Sequence, residues 1–146
     1  IEGAEDDSIA GESVMKNTGV NRKDVVLGLS ASGTTPFVLA AMEYTKQQGS
    51  ARIGLACEMD SVLLKNVDVA ICVPVGPEIL YGSTRLKAGT AQKMILNMLS
   101  TALMVKLGKV YKNHITSCPP SKGAKVVVST LRHVKHEPSV DAIASI

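Results

Sequence analysis

The sequence predicts an α/β domain in which a parallel sheet is covered by helices on both faces, a three-layer αβα sandwich. Three observations carry that prediction. Val25–Leu29 and residues 52–56 and 69–73 are short, β-branched apolar runs of strand length. Turns or segments of helix length separate them, which is the βαβ rhythm. The runs are also nearly continuously apolar, as strands buried on both faces are.

The elements follow in order. The acidic opening, Glu2, Glu5, Asp6 and Asp7, suits the first turn of a helix, where carboxylates favour the dipole. After the first strand comes Ser30-Ala31-Ser32-Gly33-Thr34-Thr35-Pro36, with Pro36 well placed in the first turn of a helix carrying Phe37, Val38, Ala40, Ala41 and Tyr44. Such a strand-to-helix loop turns hydroxyls and N–H groups toward a helix amino end, at the carboxyl edge of the sheet where open α/β folds bind ligands. The same Ser/Thr run also suits a plain N-cap with no ligand.

Residues 76–93, Gly-Pro-Glu-Ile-Leu-Tyr-Gly-Ser-Thr-Arg-Leu-Lys-Ala-Gly-Thr-Ala-Gln-Lys, pack small, hydroxylated and basic residues into a loop that runs into a helix. Gly82 and Gly89 remove bulk near the backbone. Ser83 and Thr84 offer hydroxyls and a helix cap, and Arg85, Lys87 and Lys93 add positive charge. That combination suits an anionic sugar, while a capped surface helix with scattered basic residues is the alternative. The longest helix is expected from about Thr84 or Lys87 to about Leu107, because Ala91, Met94, Ile95, Met98, Leu99, Ala102 and Val105 recur at three- and four-residue spacing. Gly108 ends it. This face is expected in the core with its methionines as filler, so that the body of the helix anchors an amino turn facing the ligand. Residues 114–123 read as a linker by composition, and 125–130 as a further strand.

Composition narrows the function. With 45% hydrophobic residues in 146, the chain has enough for one core and little room for a second. A net charge of +3 and the near absence of aromatics (one Phe, three Tyr, no Trp) argue against nucleic acid, which needs basic surface and stacking platforms. A phosphorylated small molecule is the better anionic partner. No run reaches the roughly 18 apolar residues of a membrane span, and the acidic start lacks a signal-peptide pattern, so a cytoplasmic protein is expected. Cys57, Cys72 and Cys118 are odd in number and widely spaced, which argues against a disulfide framework and for core thiols. His114, His133, His136 and Cys118 match no zinc spacing, so no metal is expected.

Residues 76–93 resemble a known signature, that of the N-acetylmuramic acid 6-phosphate etherases and glucokinase regulatory proteins built on the sugar isomerase (SIS) fold: Gly-Pro-Glu, then Gly-Ser-Thr-Arg-Leu-Lys-Ala-Gly-Thr. Ile1-Glu2-Gly3-Ala4-Glu5-Asp6-Asp7, the segment from Val25 to Phe37, and Leu96-Asn97-Met98-Leu99-Ser100-Thr101 through Gly108-Lys109-Val110-Tyr111 are similar to the etherase branch. The resemblance covers about residues 1–113 and implies the C-terminal part of a SIS domain. Residues 114–146 are expected to be a divergent tail.

The resemblance also implies function. It assigns Glu5, the second glutamate of Glu-Gly-Ala-Glu, to acid/base chemistry: removal of the proton at carbon 2 of the open-chain sugar, expulsion of D-lactate from carbon 3, and addition of water. It implies sugar-phosphate contacts from Ser30, Ser32, Gly33, Thr34 and Thr35, and from Ser83, Thr84, Arg85 and Lys87, in sites completed across a homodimer. A non-catalytic sugar-phosphate sensor of the glucokinase regulatory type is the second reading, since it shares Gly-Ser-Thr-Arg-Leu-Lys. Two departures stand out. Thr34 occupies a position where bacterial etherases usually carry Arg, although Gly33-Thr34-Thr35-Pro36 stays compatible with phosphate. The family's earlier half-domain, with a first Gly-rich loop and the glutamate that protonates lactate, does not lie in these 146 residues, so the chain is expected to be a fragment truncated at its N-terminal half.

Overall fold

The computed structural model of the chain describes residues 3–111, 114–115 and 126–128. A 3-10 turn, Ala4–Asp6, leads into α1 (Ser8–Thr18), β1 (Val25–Leu29), α2 (Pro36–Gln47), β2 (Ala51–Ala56), α3 (Val62–Lys65), β3 (Val69–Cys72) and α4 (Lys87–Lys106). Two short strands follow, β4 (Val110–Tyr111) and β5 (His114–Ile115), paired antiparallel, and then β6 (Val126–Val128). The main sheet runs β3-β2-β1-β6 with every neighbouring pair parallel. The three expected strands are therefore present, and the strand expected in 125–130 adds to the same sheet beside β1.

Local chemistry explains each element. Asp7 caps α1 by accepting from the Ala10 N–H at 2.9 Å, and Gly19 closes it in the left-handed conformation with φ 69°. Register pairs Gly28 of β1 with Gly54 of β2. A side chain at Gly28 would press on Met42 and Val38, and one at Gly54 on Val67 and Leu63, so both glycines let the helical layer sit close on the sheet. The core on that face joins Met15 of α1, Val26 of β1, Ala41 and Met42 of α2 and Leu63 of α3. Strand alternation turns Leu27 and Leu55 to the opposite face, where both are buried while Val25 and Val69 are exposed.

The amino ends of β2 and β3 are pinned by Arg52, which is buried. Its guanidinium donates to Asp68 Oδ1 at 2.7 Å and to the Asn66 carbonyl at 2.6 Å, and the Asp68 carboxylate also accepts the Arg52 backbone N–H. Burying this cation is tolerable only because every one of these donors has an acceptor.

Two expectations need correction. The apolar face of α4 is not in the core: Met94, Met98, Leu99 and Val105 are exposed, and Ala88 is the buried residue of the helix. The three- and four-residue spacing signals a face that needs a cover, but it does not specify the cover, and the described residues do not supply it. Cys57 and Cys72 are half-buried free thiols rather than core residues, because both stand at the carboxyl edge where the sheet gives way to loops. Burial, followed by the nearby Cys72 and Glu78, pushes the Cys57 thiol up, away from nucleophilic chemistry. Cys118 lies outside the described residues, and the grouping with His114, His133 and His136 falls outside the described side chains.

Candidate functional site

At the carboxyl end of β1 the chain leaves the sheet at Ser30, whose N–H donates to the Leu55 carbonyl at 3.1 Å. Ser30 is buried, and its hydroxyl organises the loop: it accepts the Gly33 N–H at 2.9 Å and lies 2.7 Å from Thr35 Oγ1. Ser32 Oγ lies 2.9 Å from Thr34 Oγ1 and accepts the Thr34 N–H at 3.3 Å. The result is a connected string of four hydroxyls at the amino end of α2.

That helix end is open to a ligand. Thr35 stands at the cap position but makes no side-chain bond to the helix, and Pro36 has no N–H to satisfy. The Leu39 N–H is taken by the Thr35 carbonyl at 3.0 Å. The N–H groups of Phe37 and Val38 precede that first rung and are left outside the helical ladder, where they and the dipole favour an anion.

The Glu5 turn reaches the same place through a close helix contact. Gly11 of α1 packs on the backbone of Phe37, and a Cβ there would collide with the Phe37 carbonyl oxygen. This contact holds α1, and with it the preceding turn Ala4–Asp6, against the first turn of α2. A cavity of about 720 Å³ opens between these elements and α4. Glu5 and Asp6 form one wall, and Ser30, Ser32, Thr34 and Thr35 with Phe37 and Val38 form the second. The third comes from Gly82, Thr84, Gly89, Gln92 and Lys93.

The other expected contacts lie elsewhere. Gly33 is buried off the cavity, with φ 69° and its Cα turned so that any side chain would strike Ser61. Its glycine is needed for the turn, and it bears on the cavity through its bond to Ser30. Ser83, Arg85 and Lys87 do not line the cavity. Lys87 Nζ donates to the Pro77 carbonyl at 2.9 Å. Nor do Ser83 or Thr84 cap α4. The carboxylate of Glu78 does, taking the Lys87 and Ala88 N–H groups at 3.0 Å each. The next two, from Gly89 and Thr90, go to the Thr84 and Leu86 carbonyls. All four leading N–H groups of α4 are thereby occupied, so the anion-seeking helix end in the cavity is that of α2.

Sequence reasoning missed Glu78 as the cap and Gly11 as the contact that positions Glu5, and it named Lys93, the cation on the cavity wall, only as one of three cations near the start of α4. A lone glycine inside a helical pattern was the available signal for Gly11. Nothing local marked Lys93 over Arg85 and Lys87. Among the described residues no group of three or more His, Cys, Asp or Glu side chains gathers to hold a metal, and no helix is long and apolar enough to cross a membrane.

Comparisons with known proteins bear on the same stretch. A protein named N-acetylmuramic acid 6-phosphate etherase from Oenococcus oeni is 53% identical over 121 residues, 83% of this chain and 41% of that protein. One of the same name from Clostridium acetobutylicum is 45% identical over 141 residues, 97% of this chain and 46% of that protein, so the likeness extends into the tail beyond residue 113. A third, from Lactobacillus acidophilus, is 49% identical over 126 residues, 86% of this chain and 42% of that protein. The chain thus spans less than half the length of these curated relatives. A family model described as SIS domain matches residues 5–102, from the turn that carries Glu5 into the last turns of α4. With the parallel sheet and the loop at the amino end of α2 inside that span, the chain belongs to the SIS domain family.

Proposed function

We propose that this chain carries the sugar-phosphate site of an etherase that cleaves the D-lactyl ether of N-acetylmuramic acid 6-phosphate, giving N-acetylglucosamine 6-phosphate and D-lactate. The observation that carries the reading is the common cavity lined by Glu5 and by the hydroxyls of Ser30, Ser32, Thr34 and Thr35. The names of the relatives point to the same chemistry rather than to a regulator.

The phosphate sits at the hydroxyl string and the free N–H groups of α2, where the dipole favours it. Glu5 then takes the proton at carbon 2 of the open-chain sugar, which the adjacent carbonyl acidifies. Hydrogen-bond donors around the cavity stabilise the enolate that forms. Lactate leaves carbon 3 with its proton supplied by an acid outside this chain, and water adds to the unsaturated product. The sequence of steps asks for no metal or nucleotide. A homodimer that completes each site, a cytoplasmic setting and a role in cell-wall sugar recycling belong to the same reading.

Glu5→Gln keeps the size and shape of the side chain but replaces one carboxylate oxygen with an NH2 donor and so removes the base. It is expected to lower turnover by roughly a hundred-fold or more, the scale of general base catalysis, with ligand affinity kept. Unchanged turnover in steady-state kinetics would remove Glu5 from that role.

A further inference from the structure

The cavity holds an electrostatic asymmetry that the proposed chemistry does not yet use. Glu5 and Asp6 place two carboxylates on one wall, and Lys93 is the cation among the lining residues described. Lys93 is exposed on α4, and no carboxylate pairs with it among the described residues. Arg85 and Lys87, the more obvious cations, are off the cavity, and Lys87 is already bonded to Pro77. The hydroxyl string and the amino end of α2 form a complete anion site without Lys93. They lie on a different wall, built from a different segment of the chain.

A substrate with one anionic group would leave Lys93 idle. One with two, set on different carbons of a sugar ring, would meet an attractive group on each of the two walls, while the Glu5 and Asp6 wall would repel a second anion that found no cation. Resting on the sugar-phosphate reading above, we propose that Lys93 is a specificity-determining residue that binds the carboxylate of the lactyl ether while the loop at α2 holds the phosphate. Lys93 thereby distinguishes the ether-bearing sugar phosphate from the same sugar phosphate without the acidic arm. Thr84 and Gln92, which line the same wall, bound the space that the arm enters.

The test is isothermal titration of the full chain with N-acetylmuramic acid 6-phosphate and, separately, N-acetylglucosamine 6-phosphate. Both are run in the Glu5→Gln background so that the ether stays intact, with Lys93 retained or changed to Met or Arg. Because Lys93 is exposed, circular dichroism is expected to be unaltered by either change. Lys93→Met should weaken the ether-bearing ligand about ten-fold or more, the scale of a hydrogen bond between charged groups. It should leave the affinity of the other ligand unchanged, and Lys93→Arg should retain most of the discrimination. Equal loss for both ligands would put Lys93 on the phosphate and overturn the proposal alone, as would no loss for either. Failure of both ligands to bind when Lys93 is retained would overturn the sugar-phosphate reading and this proposal together.

Discussion

Glu78 shows how one carboxylate sets the use of a helix end. Its two oxygens take the Lys87 and Ala88 N–H groups, and these bonds, Lys87 first, hold its carboxyl below the ordinary carboxylate range. A group whose acidity is raised by folding stabilises the fold above its unfolded value, about 4.3 for Glu, and that contribution is lost as the pH falls through the depressed folded value. Glu78→Gln should therefore flatten the acid limb of a plot of melting temperature against pH below that point. Asp68, held low by its hydrogen bonds to Arg52, keeps its own share of the limb in both proteins. Acid limbs of equal slope would show that Glu78 does not cap α4 in solution.

Between elements, the contact that matters most to the site is α1 on α2 at Gly11. A methyl group there meets a backbone carbonyl, which has no rotamer to yield. Gly11→Ala should cost about 1–3 kcal/mol, as overpacking does, in chemical denaturation. An unchanged midpoint would mean that the helices separate freely and that Gly11 does not fix the Glu5 turn. The sequence allowed the strands and α2 to be read because their signals are local: β-branched runs, then Ser/Thr and a proline at a helix start. The loop at residues 30–35 was legible for the same reason, with Ser30, Ser32, Thr34 and Thr35 all reaching the cavity. That Arg85 and Lys87 stand off this cavity while Lys93 lines it was not legible, because the direction of a long side chain depends on tertiary neighbours. The Pro77 carbonyl and the Glu78 carboxylate are ten and nine residues away from Lys87, beyond what helix periodicity reports. The exposed stripe of α4 was visible as a pattern, but its partner surface was not.

For the whole molecule, the sheet, the α1–α2 contact and α4 work as one frame that brings a carboxylate, a hydroxyl string with an open helix end, and a lysine to three walls of a single cavity. The exposed face of α4 and the span of less than half of the curated relatives fit a proposed assembly in which a further surface covers α4 and supplies the acid for lactate. The division of labour at its centre puts the base in this chain. The measurement that tests this most directly is proton NMR of the chain with N-acetylmuramic acid 6-phosphate in heavy water, following the carbon 2 proton and free lactate together, for the native chain and for Glu5→Gln. Loss of the carbon 2 signal with the native chain and its persistence with Glu5→Gln is the predicted result, whether or not lactate is released. Persistence of the signal with the native chain, or its loss at the same rate with Glu5→Gln, would contradict it.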